Sequence, residues 1–224
     1  MRALIFDMDG VIIDSNPVHR EAWVAFNRTC GLETTDAMHD FMYGKRNDEI
    51  VRNFFGEELT GEEVAARGAA KEALYRELIA PRLKERLVPG VEAFLEKHSH
   101  LPMAVATNAE PANVDFLLDR AELRRFFRVV VDGHQVSRPK PDPEVYLRAA
   151  AALGVDPADT VVFEDSFPGV ASAKGAGARV VALRTTHSDL GTAVDLIVDN
   201  FLSPELEPWL AMHHPPQKSQ RCLL

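Results

Sequence analysis

Short apolar runs and longer amphipathic stretches alternate along most of the sequence. The runs are apolar at nearly every position, which is typical of strands buried on both faces of a parallel sheet. The stretches between them have helical periodicity, and strands alternating with helices predict an α/β fold with helices on both faces of the sheet. One helix is predicted to have Asp142 as its N-cap and Pro143 as its first residue, and to stop at Gly154. The predicted strands are residues 3–6, 103–106, 128–131, 160–163, 179–183 and 196–198.

Residues 16–83 interrupt this alternation, because they contain helical patterns and no strand. Val18, Ala22 and Phe26 recur at helical spacing. They follow Pro17, a residue type favoured in the first turn of a helix. Further helices are predicted after residue 36, from residue 47 or 48, and over residues 61–79.

The pattern therefore divides the chain into two predicted units. A Rossmann-like core with a parallel sheet contains residues 1–15 and 84–211, and an α-helical cap of residues 16–83 is inserted into it. The segment 212–224, which holds two prolines and several polar residues, is predicted to be a disordered tail.

Composition narrows the class of protein. The 224 residues, 46% of them hydrophobic, can bury a large core. A net charge of -9 spread along the chain argues against nucleic acid as a partner, since phosphate binding needs a basic face. Neither a long apolar span nor a secretory signal is recognisable, and Cys30 and Cys222 are too few for a disulfide framework. We expect a cytoplasmic protein without membrane contact, either a monomer or a small homo-oligomer.

Two acids follow the first predicted strand. Asp7 and Asp9 are one residue apart, and Gly10 comes next. Ligands of open parallel sheets bind beyond the carboxyl ends of the strands, where these side chains would lie. An acidic turn is the alternative, since Asp and Gly are ordinary turn residues. A turn explains one Asp and the Gly, but it explains poorly two acids with no basic partner nearby.

More polar residues follow other strands and would meet the two aspartates at one edge of the sheet. Glu164 and Asp165 follow the strand at 160–163, and Lys140 lies on the loop after residues 128–131. Two like charges about 4 Å apart repel by about 4 kcal/mol at an effective dielectric of 20, and one lysine cannot offset four carboxylates. A divalent cation can offset this repulsion, and a site whose ligands are all oxygen atoms suits Mg²⁺.

Thr107 and Asn108, which follow the strand at 103–106, add a hydroxyl and an amide to this edge. Together with the charge of Lys140, these donors are what a phosphoryl oxygen requires. The implied chemistry is phosphoryl transfer, in which one aspartate attacks phosphorus and the other exchanges protons with the leaving and entering oxygens. The residue types leave open which aspartate has which role.

Four ordered segments resemble the motifs of the haloacid dehalogenase-like hydrolase superfamily, and the likeness covers nearly the whole chain except the tail. The segments are Asp7-Met8-Asp9-Gly10-Val11, Thr107-Asn108, Lys140 and Glu164-Asp165. The resemblance implies that Asp7 is the nucleophile and Asp9 the general acid/base. It also implies that Thr107 and Lys140 hold the phosphoryl group. The implied Mg²⁺ ligands are Asp7, the backbone carbonyl of Asp9, and Asp165, with Glu164 in or beside the first shell.

The same resemblance places the α-helical cap of the family at residues 16–83. Asp9 separates the chain from haloacid dehalogenases proper and from phosphonoacetaldehyde hydrolases, which lack this second aspartate. The remaining branch contains phosphatases and β-phosphoglucomutase-like enzymes. His19 resembles the cap-hinge histidine of the mutases, and Lys71 resembles the cap lysine that helps to position the acid/base, although both also occur in related phosphatases.

Other positions depart from the mutase pattern, in which a cap arginine after a glycine holds a second phosphate. Counting from Gly44, that position falls on Asn47, with Lys45 and Arg46 adjacent. Glu110 stands where a phosphate-binding residue is expected and would repel a second phosphate. We therefore expect a phosphatase of a small phosphorylated metabolite, with Gly44 and Arg46 among the substrate-binding residues. The alternatives are a β-phosphoglucomutase-like phosphomutase and a non-catalytic phosphoester-binding protein.

Overall fold

A single parallel sheet organises the protein. The computed structural model describes residues 1–43 and 45–213. Within them, the sheet has the strand order β3-β2-β1-β4-β5-β6, and each neighbouring pair is parallel. The strand predictions are confirmed, with boundary differences of one residue. The strands are β1 (Ala3–Phe6), β2 (Met103–Ala106), β3 (Val129–Val131), β4 (Thr160–Glu164), β5 (Arg179–Leu183) and β6 (Leu196–Val198).

Helices connect the strands, and the first four of them lie within residues 16–79. These four are α1 (Asn16–Thr29), α2 (Asp36–Met42), α3 (Asn47–Phe55) and α4 (Gly61–Ile79). The others are α5 (Val91–Lys97), α6 (Pro111–Arg120), α7 (Glu144–Leu153), α8 (Phe167–Gly175) and α9 (Leu206–His213). No helix of the described residues has the length and apolar character needed to cross a membrane.

Two helix boundaries correct the sequence predictions. Helix α7 begins at Glu144, and Pro143 is its N-cap rather than its first residue. The carboxylate of Asp142 accepts a hydrogen bond from the Glu144 N–H at 3.0 Å, so it closes a turn one residue earlier than predicted. Helix α9 includes Met212 and His213, the first two residues of the predicted tail. The rest of that tail lies outside the described residues.

The sheet is covered by apolar layers on both faces. Leu4 and Phe6 point into one layer and Ile5 into the other, as the alternation of a strand requires. The ring of Phe6 stacks on that of Phe163, with centroids 4.8 Å apart. This packing fixes β1 beside β4, so the residues that follow these two strands emerge at the same edge.

Helices α1 to α4 enclose a hydrophobic cluster of their own, which includes Trp23, Phe26 and Val51. The N-terminus of α4 is fixed by a capping box, in which Thr60 and Glu63 each bond the other's backbone. Helices α1 and α4 also supply residues to the apolar layer of the sheet. They are therefore in contact with both clusters, while the division of the chain into core and cap stays a prediction.

Candidate active site

The ends of β1 and β4 bring three carboxylates together. Phe6 is paired with Phe163 in the parallel ladder. The Asp7 N–H donates to the carbonyl of Phe163 at 3.0 Å. As a result, one carboxylate oxygen from each of Asp7, Glu164 and Asp165 lies within 4.8 Å of the others, and all three residues are buried. The structure thus brings together three of the four predicted acidic side chains.

Lys140 joins two of these acids. Its Nζ lies 2.8 Å from Asp7 Oδ1 and 2.7 Å from Glu164 Oε1. The hydroxyl of Tyr146, on α7, donates to the same Glu164 oxygen at 2.7 Å. Although burial alone would lower the pKa of Lys140, Asp7 and Glu164 raise it above its usual value, so the lysine is a fixed cation.

Glu164 has hydrogen-bond donors at both oxygens. Besides the two donors at Oε1, its Oε2 accepts from the N–H groups of Asp165 and Ser166, at 2.8 and 3.1 Å, and from the Ser166 hydroxyl at 3.1 Å. A Cβ at Gly169 would lie 1.7 Å from Glu164 Oε1, so the first turn of α8 can approach this carboxylate only with glycine there. These contacts favour Glu164 as the anchor of Lys140, beside a metal site.

When Asp7, Glu164 and Asp165 are all ionised, Lys140 alone does not balance the charge at this edge of the sheet. Burial, together with the nearby carboxylates, raises the pKa of Asp7 to about 7 against the attraction of Lys140. Burial and the charges of Glu164 and Asp7 raise the pKa of Asp165 well above its usual value. A cluster of buried oxygen ligands with excess negative charge fits a hard divalent cation such as Mg²⁺.

Asp165 is also held by two residues outside the four motifs. The Thr186 hydroxyl donates to Asp165 Oδ2, and Asn16 Nδ2 lies 3.4 Å from the same oxygen. Asn16 donates in turn to Thr186 Oγ1 at 2.6 Å. A Cβ at Gly10, whose φ is +77°, would lie 1.8 Å from Asp165 Oδ2. Glycine is therefore required after the second aspartate both for its backbone conformation and for this close approach.

The side chain of Asp9 contacts different residues from those that surround Asp7 and Asp165. It accepts from the Ser15 hydroxyl at 2.6 Å, and His19 Nε2 lies 3.5 Å from the same oxygen. Although burial would raise the pKa of Asp9, these two partners outweigh it and hold the pKa below its usual value. Asp9 thus faces helix α1, and its predicted place among the metal ligands rests on its backbone carbonyl.

Two residues predicted from the insert lie in sequence from Asp9: His19 is beside Asp9, and Lys71 is beside His19. Lys71 Nζ is 2.9 Å from His19 Nδ1, and the ring of His19 stacks on Tyr75 with centroids 3.7 Å apart. Lys71 is buried and pairs with Glu72 at 2.7 Å. Tyr75 and Glu72 were not among the site residues predicted from the sequence. Their spacing from Lys71 on one helix is the only signal that could have suggested them.

A cavity of about 740 Å³, including space open to solvent, lies between the sheet edge and helices α1 to α4. Thr107 and Asn108 line it as predicted. Arg46 pairs with Asp48 at 3.4 Å and is not among the described residues lining the cavity, whereas Lys45 is. Gly44, also predicted to bind substrate, lies outside the described residues. The lining residues absent from the prediction include Asn16, Trp23, Tyr43, Asn47, Asn113 and Thr186.

Comparison with known proteins gives consistent matches. A family model described as haloacid dehalogenase-like hydrolase matches residues 1–177. The protein CbbY of Rhodobacter capsulatus is 36% identical over 217 residues, covering 92% of this chain and 94% of that protein. A phosphorylated carbohydrates phosphatase of Thermotoga maritima is 37% identical over 183 residues, covering 79% and 82%. A β-phosphoglucomutase structure from Clostridium difficile has the same fold, with a TM-score of 0.83 at 22% identity and coverage of 95% and 97%.

Proposed function

The chain belongs to the haloacid dehalogenase-like hydrolase family, and from this premise we propose that it is a Mg²⁺-dependent phosphatase of a small phosphorylated metabolite, a sugar or polyol phosphate. The observation that carries the proposal is the floor of the cavity. There, Lys140 bridges Asp7 and Glu164 beside Asp165. The name of the Thermotoga maritima relative, a phosphatase of phosphorylated carbohydrates, supports the substrate class.

The residues of the floor have one role in this proposal. Those of the helical side, which is the side of the cavity that faces helices α1 to α4 and includes Asp9, have another. A carboxylate oxygen of Asp7 attacks phosphorus, and the bond between phosphorus and the ester oxygen breaks. Asp9, whose pKa the negative charge of a bound phosphate ester would raise, gives a proton to the leaving oxygen and later takes one from the water that hydrolyses the aspartyl phosphate. Lys140, with the donors of Thr107 and Asn108, holds the phosphoryl oxygens as negative charge redistributes.

A divalent cation fits the donor set of this floor. Asp7, Asp165 and the backbone carbonyl of Asp9 would hold it, with Glu164 beside them. When bound, Mg²⁺ offsets the charge of the carboxylates and of the substrate phosphate.

We further propose that residues 16–83 act as a cap over a core of residues 1–15 and 84–211. Helices α1 and α4 carry His19 and Lys71, so they supply one wall of the cavity. Closure of such a segment excludes water and completes the catalytic set. Within the described residues, Cys30 is exposed and forms no disulfide, which suits a reducing compartment such as the cytoplasm. An assembly no larger than a small homo-oligomer stays a prediction.

The pairing of the cations around the cavity favours a phosphatase over a phosphomutase. A mutase must hold a second phosphate, and that group needs a cation which is not already engaged. Lys45 lies 3.1 Å from Glu49, Lys71 lies 2.7 Å from Glu72, and Arg76 lies 2.8 Å from Glu110. A second phosphate would have to displace one of these carboxylates. A substrate with one phosphate and an uncharged distal part avoids that cost.

A panel of phosphate esters tests the proposal directly. Sugar phosphates, polyol phosphates, nucleotides and phosphoglycolate are incubated with the protein and Mg²⁺, and free phosphate is measured. A sugar or polyol monophosphate should be the best substrate. In parallel, β-glucose 1-phosphate with a trace of the 1,6-bisphosphate should release phosphate without rapid formation of glucose 6-phosphate. Fast isomerisation with little phosphate release would establish the mutase instead, and no turnover of any ester would leave a binding protein.

A further inference from the structure

We propose that Glu72 is a positioning residue that links the contact between α4 and α6 to the acid/base Asp9, through Lys71 and His19. The inference rests on the proposed function, since it concerns the proton transfer of that reaction. It starts from a buried acidic side chain that the four sequence motifs do not include.

The carboxylate of Glu72 has partners on three helices. Its Oε1 accepts from Lys71 Nζ at 2.7 Å and from Asn47 Nδ2, on α3, at 2.8 Å. Its Oε2 accepts from Asn113 Nδ2, on α6, at 2.7 Å. Although burial alone would raise the pKa of Glu72, Lys71 and His19 lower it to about 2, so the group is ionised at neutral pH. The buried ammonium of Lys71 thereby has a counter-charge 2.7 Å away.

Lys71 fixes the tautomer of His19. An ammonium group has three donors and no acceptor, so the Nδ1 atom that faces it at 2.9 Å must be unprotonated. The proton of a neutral His19 therefore lies on Nε2, the nitrogen that faces Asp9 Oδ1 at 3.5 Å. Without the charge of Glu72, Lys71 would no longer be held against His19, and the donor to Asp9 would no longer be fixed.

Asn113, on α6, connects Glu72 and its partners Lys71 and His19 to the other side of the cavity. Its Oδ1 accepts from Arg76 Nη1 at 2.7 Å while its Nδ2 donates to Glu72. The same Arg76 atom lies 2.8 Å from Glu110, the residue before α6. Separation of α4 from α6 would break all three contacts. Contact between α4 and α6 therefore completes the hydrogen bonds of Glu72, which in turn holds Lys71 beside His19.

Leaving-group dependence separates a positioning role from a structural one. Phenyl phosphate and p-nitrophenyl phosphate have the same basic shape, but phenolate is the poorer leaving group and depends more on a proton from Asp9. For Glu72→Gln, which removes the charge and keeps the size, we expect kcat/KM for phenyl phosphate to fall about 10- to 100-fold. For p-nitrophenyl phosphate the expected fall is less than about threefold. Glu72→Asp, which keeps the charge, should restore part of the lost selectivity.

Two further variants complete the test. Asn113→Ala removes only the link to α6 and should shift the ratio of the two kcat/KM values in the same direction, by a smaller factor. Glu21→Gln is the control, because Glu21 is an acid of α1 that pairs with Arg82 at the surface, 2.7 Å away. It should leave both values unchanged.

The outcomes distinguish this inference from the proposed function. Equal losses on both esters in Glu72→Gln and Asn113→Ala, or no loss in either, would overturn the positioning role. If Glu72→Gln does not fold, as shown by its thermal melting, the ratio in Asn113→Ala decides. Absence of Mg²⁺-dependent hydrolysis in the unmodified protein would instead refute the phosphatase itself.

Discussion

The floor of the cavity and its helical side shift the pKa values of Asp7 and Asp9 in opposite directions. On the floor, burial raises the pKa of Asp7 to about 7 and raises that of Asp165 well above its usual value. On the helical side, His19 and Ser15 outweigh burial and hold the pKa of Asp9 below its usual value. Asp7 and Asp9 are only two residues apart, so the partners of each carboxylate, and not its place in the sequence, set its charge.

The difference shows what each region requires before it can act. The floor has more buried carboxylates than Lys140 can balance, so it requires an added cation. On the helical side, the buried Lys71 and Glu72 are already paired, 2.7 Å apart. What it requires is contact between α4 and α6. In the proposed mechanism, metal binding prepares the floor and cap closure prepares the helical side.

The largest expected effect is at the floor. Asp7→Asn removes the proposed nucleophile while preserving size, and should reduce Mg²⁺-dependent release of p-nitrophenol at least about a thousandfold. Asp14→Asn is the matched control, because Asp14 lies in the same segment but pairs with Arg86 near the surface, 3.1 Å away. It should retain nearly full activity. Full activity in Asp7→Asn would refute the mechanism in which Asp7 is the nucleophile.

A smaller and more selective effect is expected on the helical side. Asp9→Asn cannot donate a proton, so kcat/KM for phenyl phosphate should fall by about 10²- to 10⁴-fold. The loss for p-nitrophenyl phosphate should be clearly smaller, because its leaving group needs less protonation. If the two esters lost activity equally, Asp9 would not be the general acid and the contrast between the regions would disappear.

The smallest expected effect is on stability without metal. The pKa of Asp7 is about 7 in the folded protein, against an ordinary value of 3.8, so the folded state binds more protons than the unfolded state between these two values. This contribution to stability is present below about pH 4 and is lost as the pH rises through 7. From pH 5 to 8 in EDTA, the free energy of unfolding should fall by roughly 2 to 3 kcal/mol.

Denaturant titrations at pH 5 and pH 8 measure this fall. Mg²⁺ should restore stability at pH 8, since a ligand of the folded state stabilises it. Unchanged or rising stability between pH 5 and 8 in EDTA, or no effect of Mg²⁺ at pH 8, would contradict the charge imbalance of the floor.

The floor was largely predictable from the sequence. Asp7 and Asp165 follow strands directly, and a parallel sheet necessarily places the ends of its strands side by side. Lys140 is on a loop, yet its position after a strand was enough to assign it to the same edge. For this region, predicting where the strands end was nearly enough to predict which residues form the site.

The helical side was predictable only in part. His19 and Lys71 were found through the family resemblance, but Glu72 and Asn113 were not. The latter two are 41 positions apart in the sequence, and they meet only because α4 packs on α6. Helix packing of this kind depends on side-chain shapes across distant segments, and no local pattern encodes it. Arg46, predicted to bind substrate, is not among the described residues that line the cavity, whereas its neighbour Lys45 is.

The central claim is that Asp7 carries the phosphoryl group during turnover, and trapping that group tests it most directly. In Asp9→Asn, the attack of water lacks its general base, so the aspartyl phosphate should accumulate. The variant is mixed with p-nitrophenyl phosphate and Mg²⁺, quenched in acid, digested, and analysed by mass spectrometry. One phosphoryl group on Asp7, formed with a burst of p-nitrophenol, is the predicted result. A burst with no phosphoryl group on the protein, or with the group on another residue, would contradict the account.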